Sequence, residues 1–147
     1  MFFQGAGVTT GGGAGLSWFL AYAATAVDAE DARAALEAMP RYLPLPDVLA
    51  RDDTMDDAFG TTYLLAGKVD LALPYLQRAA RSCSALDHPL TQTAAHLHLG
   101  TALEALGDRP AACAAYRTVL ERWGSAKPRS VSADAARARA RALGCGG

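Results

Sequence analysis

A 40-residue interval runs through the chain and restricts its fold more than any other feature. Ala32, Ala72 and Ala112 lie on it, and so do Leu36, Leu76 and Tyr116. Met39, Ala79 and Val119 form a third column, and Leu20, Gly60 and Gly100 a fourth. Ala23, Tyr63 and Leu103 form a fifth. Val27, Gly67 and Gly107 are followed at once by Asp28, Lys68 and Asp108. A period of this length marks a supersecondary unit that cannot bury its apolar face alone and must stack on its neighbours.

Each unit reads as helix, tight turn, helix. Ala and Leu dominate and aromatics are only 7% of residues, a balance that favours helix over strand. The first helix of each unit (helix A) is expected near 14–26, 54–66 and 90–106. The second (helix B) is expected near 29–39, 70–84 and 109–123. Gly67 and Gly107 sit where a glycine closes a helix in the left-handed conformation. Asp28, Asp70 and Asp108 are the expected N-caps of the B helices. Pro110 suits a first helical turn, and Pro74, slightly deeper, should bend or tighten the start of its helix. Apolar residues such as Ala112, Ala115, Tyr116, Val119 and Leu120 recur at three and four, the spacing of one buried face. Ser132 is the expected cap of a last, polar helix with Arg137, Arg139 and Arg141 on its outer surface. The resulting division is a Gly-rich flexible leader over 1–13 and one helical domain over 14–147. Its units cover about 14–46, 53–86 and 90–124, with a capping helix over 132–143.

His98-Leu99-Gly100-Thr101-Ala102-Leu103, the Leu106-Gly107-Asp108 turn, and Ala112, Tyr116, Val119 and Leu120 together resemble a tetratricopeptide repeat. Phe59, Gly60, Tyr63, Gly67, Ala72, Leu76 and Ala79 resemble it nearly as well. The stretch from Arg122-Trp123-Gly124 to Ser130 is also similar to the end of large bacterial serine/threonine-kinase-type proteins that carry helical repeats, although no kinase signature occurs. The period exceeds the family's 34 residues, so longer connections between units are implied. The resemblance implies an all-α, right-handed α–α superhelix of about three helix pairs with a C-terminal cap. It implies further that the A helices line a concave face that takes an extended peptide or a partner helix. The repeat register places Ser17, Trp18, Asp57, Thr61, Leu64, His98, Thr101 and Glu104 on that face. Trp18 is the expected anchor, and the mixed apolar and acidic groove suits a basic or amphipathic segment. The lysine/asparagine set that clamps a C-terminal carboxylate is absent. The implied role is protein or peptide binding, as an accessory part of a larger signalling protein. A structural spacer or homodimer contact is the alternative, and a metal-binding or enzyme domain a third.

Other chemistries find little support. Gly5–Gly15 lacks the Gly-Lys-Ser/Thr of a phosphate loop. His96 and His98 point about 200° apart on a helix, and the Cys/His spacing is wrong for zinc, so no metal or other cofactor is expected. Asp52, Asp53, Asp56 and Asp57 are accounted for by the favourable field of a helix start. No catalytic residues are assigned, because no Ser/His/Asp or Cys/His arrangement has local support. Net charge −1 and a basic C-terminal end without interleaved aromatics do not point to nucleic acid. No apolar run is long enough for a membrane span. Ala24-Thr25-Ala26 ends an apolar stretch like an export signal, but no basic residue precedes Arg33. The expectation is a cytoplasmic protein with reduced Cys83, Cys113 and Cys145, a Cys83–Cys113 or Cys113–Cys145 bridge being the alternative.

Overall fold

A computed structural model of the chain describes residues 17–42, 53–83 and 87–146. The leader and most of the Pro-rich connection before Asp53 lie outside the described residues. Among those described there is no strand. The helices are α1 (Ala29–Ala38), α2 (Asp53–Leu65), α3 (Val69–Arg81), α4 (Pro89–Ala105), α5 (Arg109–Trp123) and α6 (Val131–Ala142). A π-helical turn, Phe19–Ala23, precedes α1, and a 3-10 turn, Met39–Tyr42, follows it. None of the described helices is long and apolar enough to cross a membrane.

Two hairpins carry the repeat. In the turn after α2, Lys68 N–H donates to the Tyr63 carbonyl at 2.9 Å and Gly67 N–H to Leu64 at 3.0 Å. Forty residues later, Asp108 N–H donates to Leu103 at 2.9 Å and Gly107 N–H to Glu104 at 3.0 Å. Gly67 and Gly107 have φ of +75° and +80°, so both turns use the left-handed glycine that such a helix ending requires. The helices then run antiparallel. Asp56, near the start of α2, binds Arg78, near the end of α3, while Tyr63 stacks on Tyr75 closer to the turn. In the second hairpin Arg122 near the end of α5 donates to Gln92 near the start of α4.

Small residues set how closely the helices approach. A Cβ added to Gly60 would stand 2.6 Å from the Leu76 side chain, and one added to Gly100 would fall on the Tyr116 ring. Ala32, Ala72 and Ala112 are all fully buried, which explains the alanine column physically: a longer side chain has no room there. The cores lie in series. Trp18, Ala23, Ala35, Ala38 and Phe59 form the first; Ala72, Leu76 and Ala102 the second; Ala112, Tyr116, Val119 and Ala136 the third. Each large side chain buried in these clusters stabilises by about 1.5–3 kcal/mol.

Several expectations are corrected. Asp28 caps α1, accepting from Glu30 and Asp31 N–H, and Asp108 caps α5. Asp70 caps nothing, because the glycine turn starts α3 directly after Lys68 and puts Asp70 inside the first turn. Ser130, not Ser132, caps α6, its Oγ accepting from Ala133 N–H at 3.2 Å. Pro74 stands in the interior of α3. The expected first A helix contains the π turn instead of continuous α-helix, which admits an extra residue per turn and rotates everything before it. Arg139 and Arg141 are exposed, as expected of an outer surface, whereas Arg137 is half-buried; both Arg137 and Arg139 are tied to neighbouring residues. Arg137 binds Asp134 and the Gly124 carbonyl, and Arg139 binds Glu104. Cys113 and Cys145 form a disulfide, so the expectation of three reduced thiols gives way to its alternative; Cys83 is free and exposed.

Candidate functional site

A cleft of about 630 Å³ lies between the helices. Helix α2 gives it Thr61, Leu64 and Leu65; α4 gives Leu97, His98 and Thr101. Ala135 and Arg139 of α6 close one side, and Ala26 and Val27 the other. Thr61 and Thr101 occupy equivalent positions on the 40-residue ruler. The cleft is therefore built by the A helices and the terminal helix, with α3 and α5 behind them.

Its floor carries a hydrogen-bonded triplet. His98 Nδ1 lies 2.8 Å from Asp57 Oδ1 and 2.8 Å from Thr61 Oγ1. An ionised carboxylate only accepts, so the proton belongs on Nδ1, and Thr61 Oγ1 shares it. His98 Nε2 has no partner among the described residues. It and the Thr61 hydroxyl hydrogen are left for whatever enters the cleft. Asp57 is screened, its side chain 13% exposed against 29% for His98.

The rim carries a second cluster. Tyr116 Oη donates to Glu104 Oε2 at 2.6 Å, and Arg139 reaches the same oxygen at 3.1 Å. Burial, and then the hydrogen bond to Glu104, pushes the Tyr116 phenol up to about 12. Burial and nearby Tyr75 raise Tyr63 also. On the opposite face of α4, burial and then the Arg122 guanidinium hold His96 below its ordinary value. The two histidines serve different surroundings, as their angular separation required.

Six of the eight residues placed on the concave face are brought together: Asp57, Thr61, Leu64, His98, Thr101 and Glu104 line the cleft or fix the residues that do. Ser17 and Trp18 are not among them. Trp18 is 0% exposed, stacks on Phe59 with centroids 5.2 Å apart, and donates Nε1–H to the Ala35 carbonyl at 2.8 Å. Its ring is a core element with its polar atom satisfied, directly before the π turn. The acidic character expected of the groove is also corrected. Neither Asp57 nor Glu104 lines the cleft itself: Asp57 bonds to His98, Glu104 to Arg139, and the walls are mostly apolar. Asp56 likewise serves packing: it is 6% exposed and bound at both oxygens by Arg78.

Leu65, Leu97, Val27 and Arg139 were not foreseen. Leu65 and Leu97 were legible from helical spacing beside Leu64 and His98. Arg139 was not, because nothing local reveals how α6 is tilted. The chain matches no family model, no curated protein and no solved structure.

Proposed function

We propose that the chain is a tetratricopeptide-like helical-repeat module that binds a segment of a partner protein in the cleft between its A helices. The observation that carries this reading is the lining itself. Thr61 and Thr101 are repeat-equivalent residues on successive A helices, and both face one continuous cleft. A repeat array offers such a face because every unit turns the same side outward.

The chemistry selects the segment. With Arg139 on its wall and no carboxylate in its lining, the cleft gives a strongly basic peptide little to gain. Leu64, Leu65, Leu97 and Val27 favour an apolar anchor, and His98 Nε2 accepts a hydrogen bond from a hydroxyl or amide N–H beside it. The occupant is thus a short amphipathic segment of low net charge with an apolar side chain next to a donor. The role is binding, as an accessory part of a larger signalling protein, and not catalysis.

Selection from a displayed peptide library tests it. Peptides enriched on the wild-type chain should combine an aliphatic or aromatic anchor with Ser, Thr, Asn or Gln. They should lose at least tenfold in affinity for Leu64→Glu and Thr101→Arg variants of unchanged melting temperature. Peptides that bind wild type and both variants equally would refute the cleft as the site, and a concentration-dependent change in oligomeric state without peptide binding would point to the dimer role instead.

A further inference from the structure

The structure assigns to the Cys113–Cys145 disulfide a role as an exchangeable clamp on one wall of the cleft, opened by a thiol that docks in the pocket beside it; its effect on ligand binding rests on the function proposed above. The bond joins the second turn of α5 to the residue just past Gly144, beyond the end of α6. Helix α6 supplies Ala135 and Arg139 to the cleft, so the segment the bond holds down is also a wall of the site.

The face of α6 against α5 is Ala133, Ala136, Ala140 and Leu143, mostly single methyl groups. The polar ties are Arg137 to the Gly124 carbonyl at 2.9 Å, Arg109 to the Gly144 carbonyl at 2.7 Å and the exposed Arg139–Glu104 pair at 3.1 Å. Exposed ion pairs contribute little. A helix carried by alanine methyls depends on its covalent tie more than one carried by leucines.

The bond is also reachable. A pocket of about 340 Å³ opens on it, lined by Cys113, Cys145, Arg117, Leu120, Ala140 and Gly146. Both cysteines are partly exposed. Arg117 puts a fixed positive charge on the pocket wall, which favours an incoming thiolate and the thiolate that leaves. In the exchange, a thiolate attacks one sulfur, the Cys113–Cys145 bond breaks, and a mixed disulfide forms. A second thiol resolves it. Two thiols of the reductant become one disulfide, and their two electrons and two protons end on Cys113 and Cys145. The reductant is a small-molecule thiol of the size of glutathione, two equivalents being consumed per bond opened.

The full-length chain is the test material. Glutathione should reduce the native protein without added denaturant, and Arg117→Glu should slow that reaction at least fivefold. Reduction that occurs only as urea unfolds the protein, at a rate indifferent to Arg117, would overturn the exchange site. After reduction, confirmed by mass, or in Cys145→Ser, hydrogen exchange in α6 should rise at least tenfold while α2 and α3 stay unchanged. Unchanged exchange in α6 would overturn the clamp. Library-selected peptides should then bind the reduced form at least tenfold more weakly than the oxidised form. Equal affinity would overturn the coupling to the cleft. If no peptide binds oxidised wild type, the binding function fails by itself, and the clamp stands or falls on α6 exchange.

Discussion

Gly100→Ala gives the sharpest test of how the second hairpin is packed. The added methyl would overlap the Tyr116 ring, which is fully buried and cannot swing into solvent. Overpacking of this kind costs about 1–3 kcal/mol. If the ring shifts, the Tyr116–Glu104 hydrogen bond, whose acceptor is charged, is weakened as well, a loss of up to about 1.5–3 kcal/mol. Against this, alanine is better than glycine in a helix by roughly 0.5–1 kcal/mol. The net is a destabilisation of about 2 kcal/mol. For 147 residues the unfolding entropy is about 0.3 kcal/mol/K. The melting temperature should therefore fall by about 6 °C in a calorimetric scan at pH 7. In a Tyr116→Ala background the methyl enters vacated space, and the same substitution should raise the midpoint. A Gly100→Ala variant that melts about 2–3 °C higher in the wild-type background would show helix propensity acting alone, and the close approach of α4 and α5 would be refuted.

Three further outcomes follow from the described contacts. Because Tyr116 titrates near 12, its neutral form is favoured by folding. The stability it contributes is present below the unfolded value of about 10 and disappears as pH rises through the folded one. Tyr116→Phe should flatten the alkaline limb of the stability–pH curve, and a wild-type phenol absorbance titration finished by pH 11 would contradict this. His96 has the opposite sign. Held below its unfolded value of about 6.5, it contributes stability above that pH that is lost as the solution is acidified. Urea midpoints for His96→Gln should accordingly change less than wild type between pH 7 and pH 5. Arg78→Ala leaves the buried Asp56 carboxylate without its bidentate partner and uncovers the Tyr75 ring, 4.7 Å from the guanidinium. With Arg78 half exposed, the expected cost is about 1–3 kcal/mol by urea unfolding with an unchanged m-value. A change below about 0.5 kcal/mol, the usual range for surface substitutions, would contradict this account of the pair.

What could be read from the chain depended on how local the determining interaction is. The hairpins of the second and third units are set by Gly67, Gly107, Lys68 and Asp108, each bonding within six residues, so their helices were legible to within a few positions. The close-contact role of Gly60 and Gly100 was legible because the ruler set both in the same column. The position of Trp18 was not. Its burial rests on contacts with Phe59 and the Ala35 carbonyl, 41 and 17 positions away, which nothing near Trp18 announces. The Asp57–His98 pair spans 41 positions, and either residue alone reads as ordinary helix surface. Among three cysteines, the choice of Cys113 and Cys145 follows from the packing of α6 on α5, which spacing does not encode. The recurrence of the repeat thus revealed which helices pair, while the side chains that give the cleft its chemistry come from contacts between units.

The disulfide changes how the chain would respond to pulling. The three cores lie in series, so tension applied at the two ends loads them one after another. Cys113 and Cys145 are separated by 32 positions, and the covalent bridge short-circuits that span. At roughly 3.3–3.6 Å per extended residue, about 110 Å of contour length is withheld from the stretched chain. With the bond intact, α6 and most of α5 transmit force without lengthening. Once it is reduced, the same segment becomes slack that can be drawn out under load.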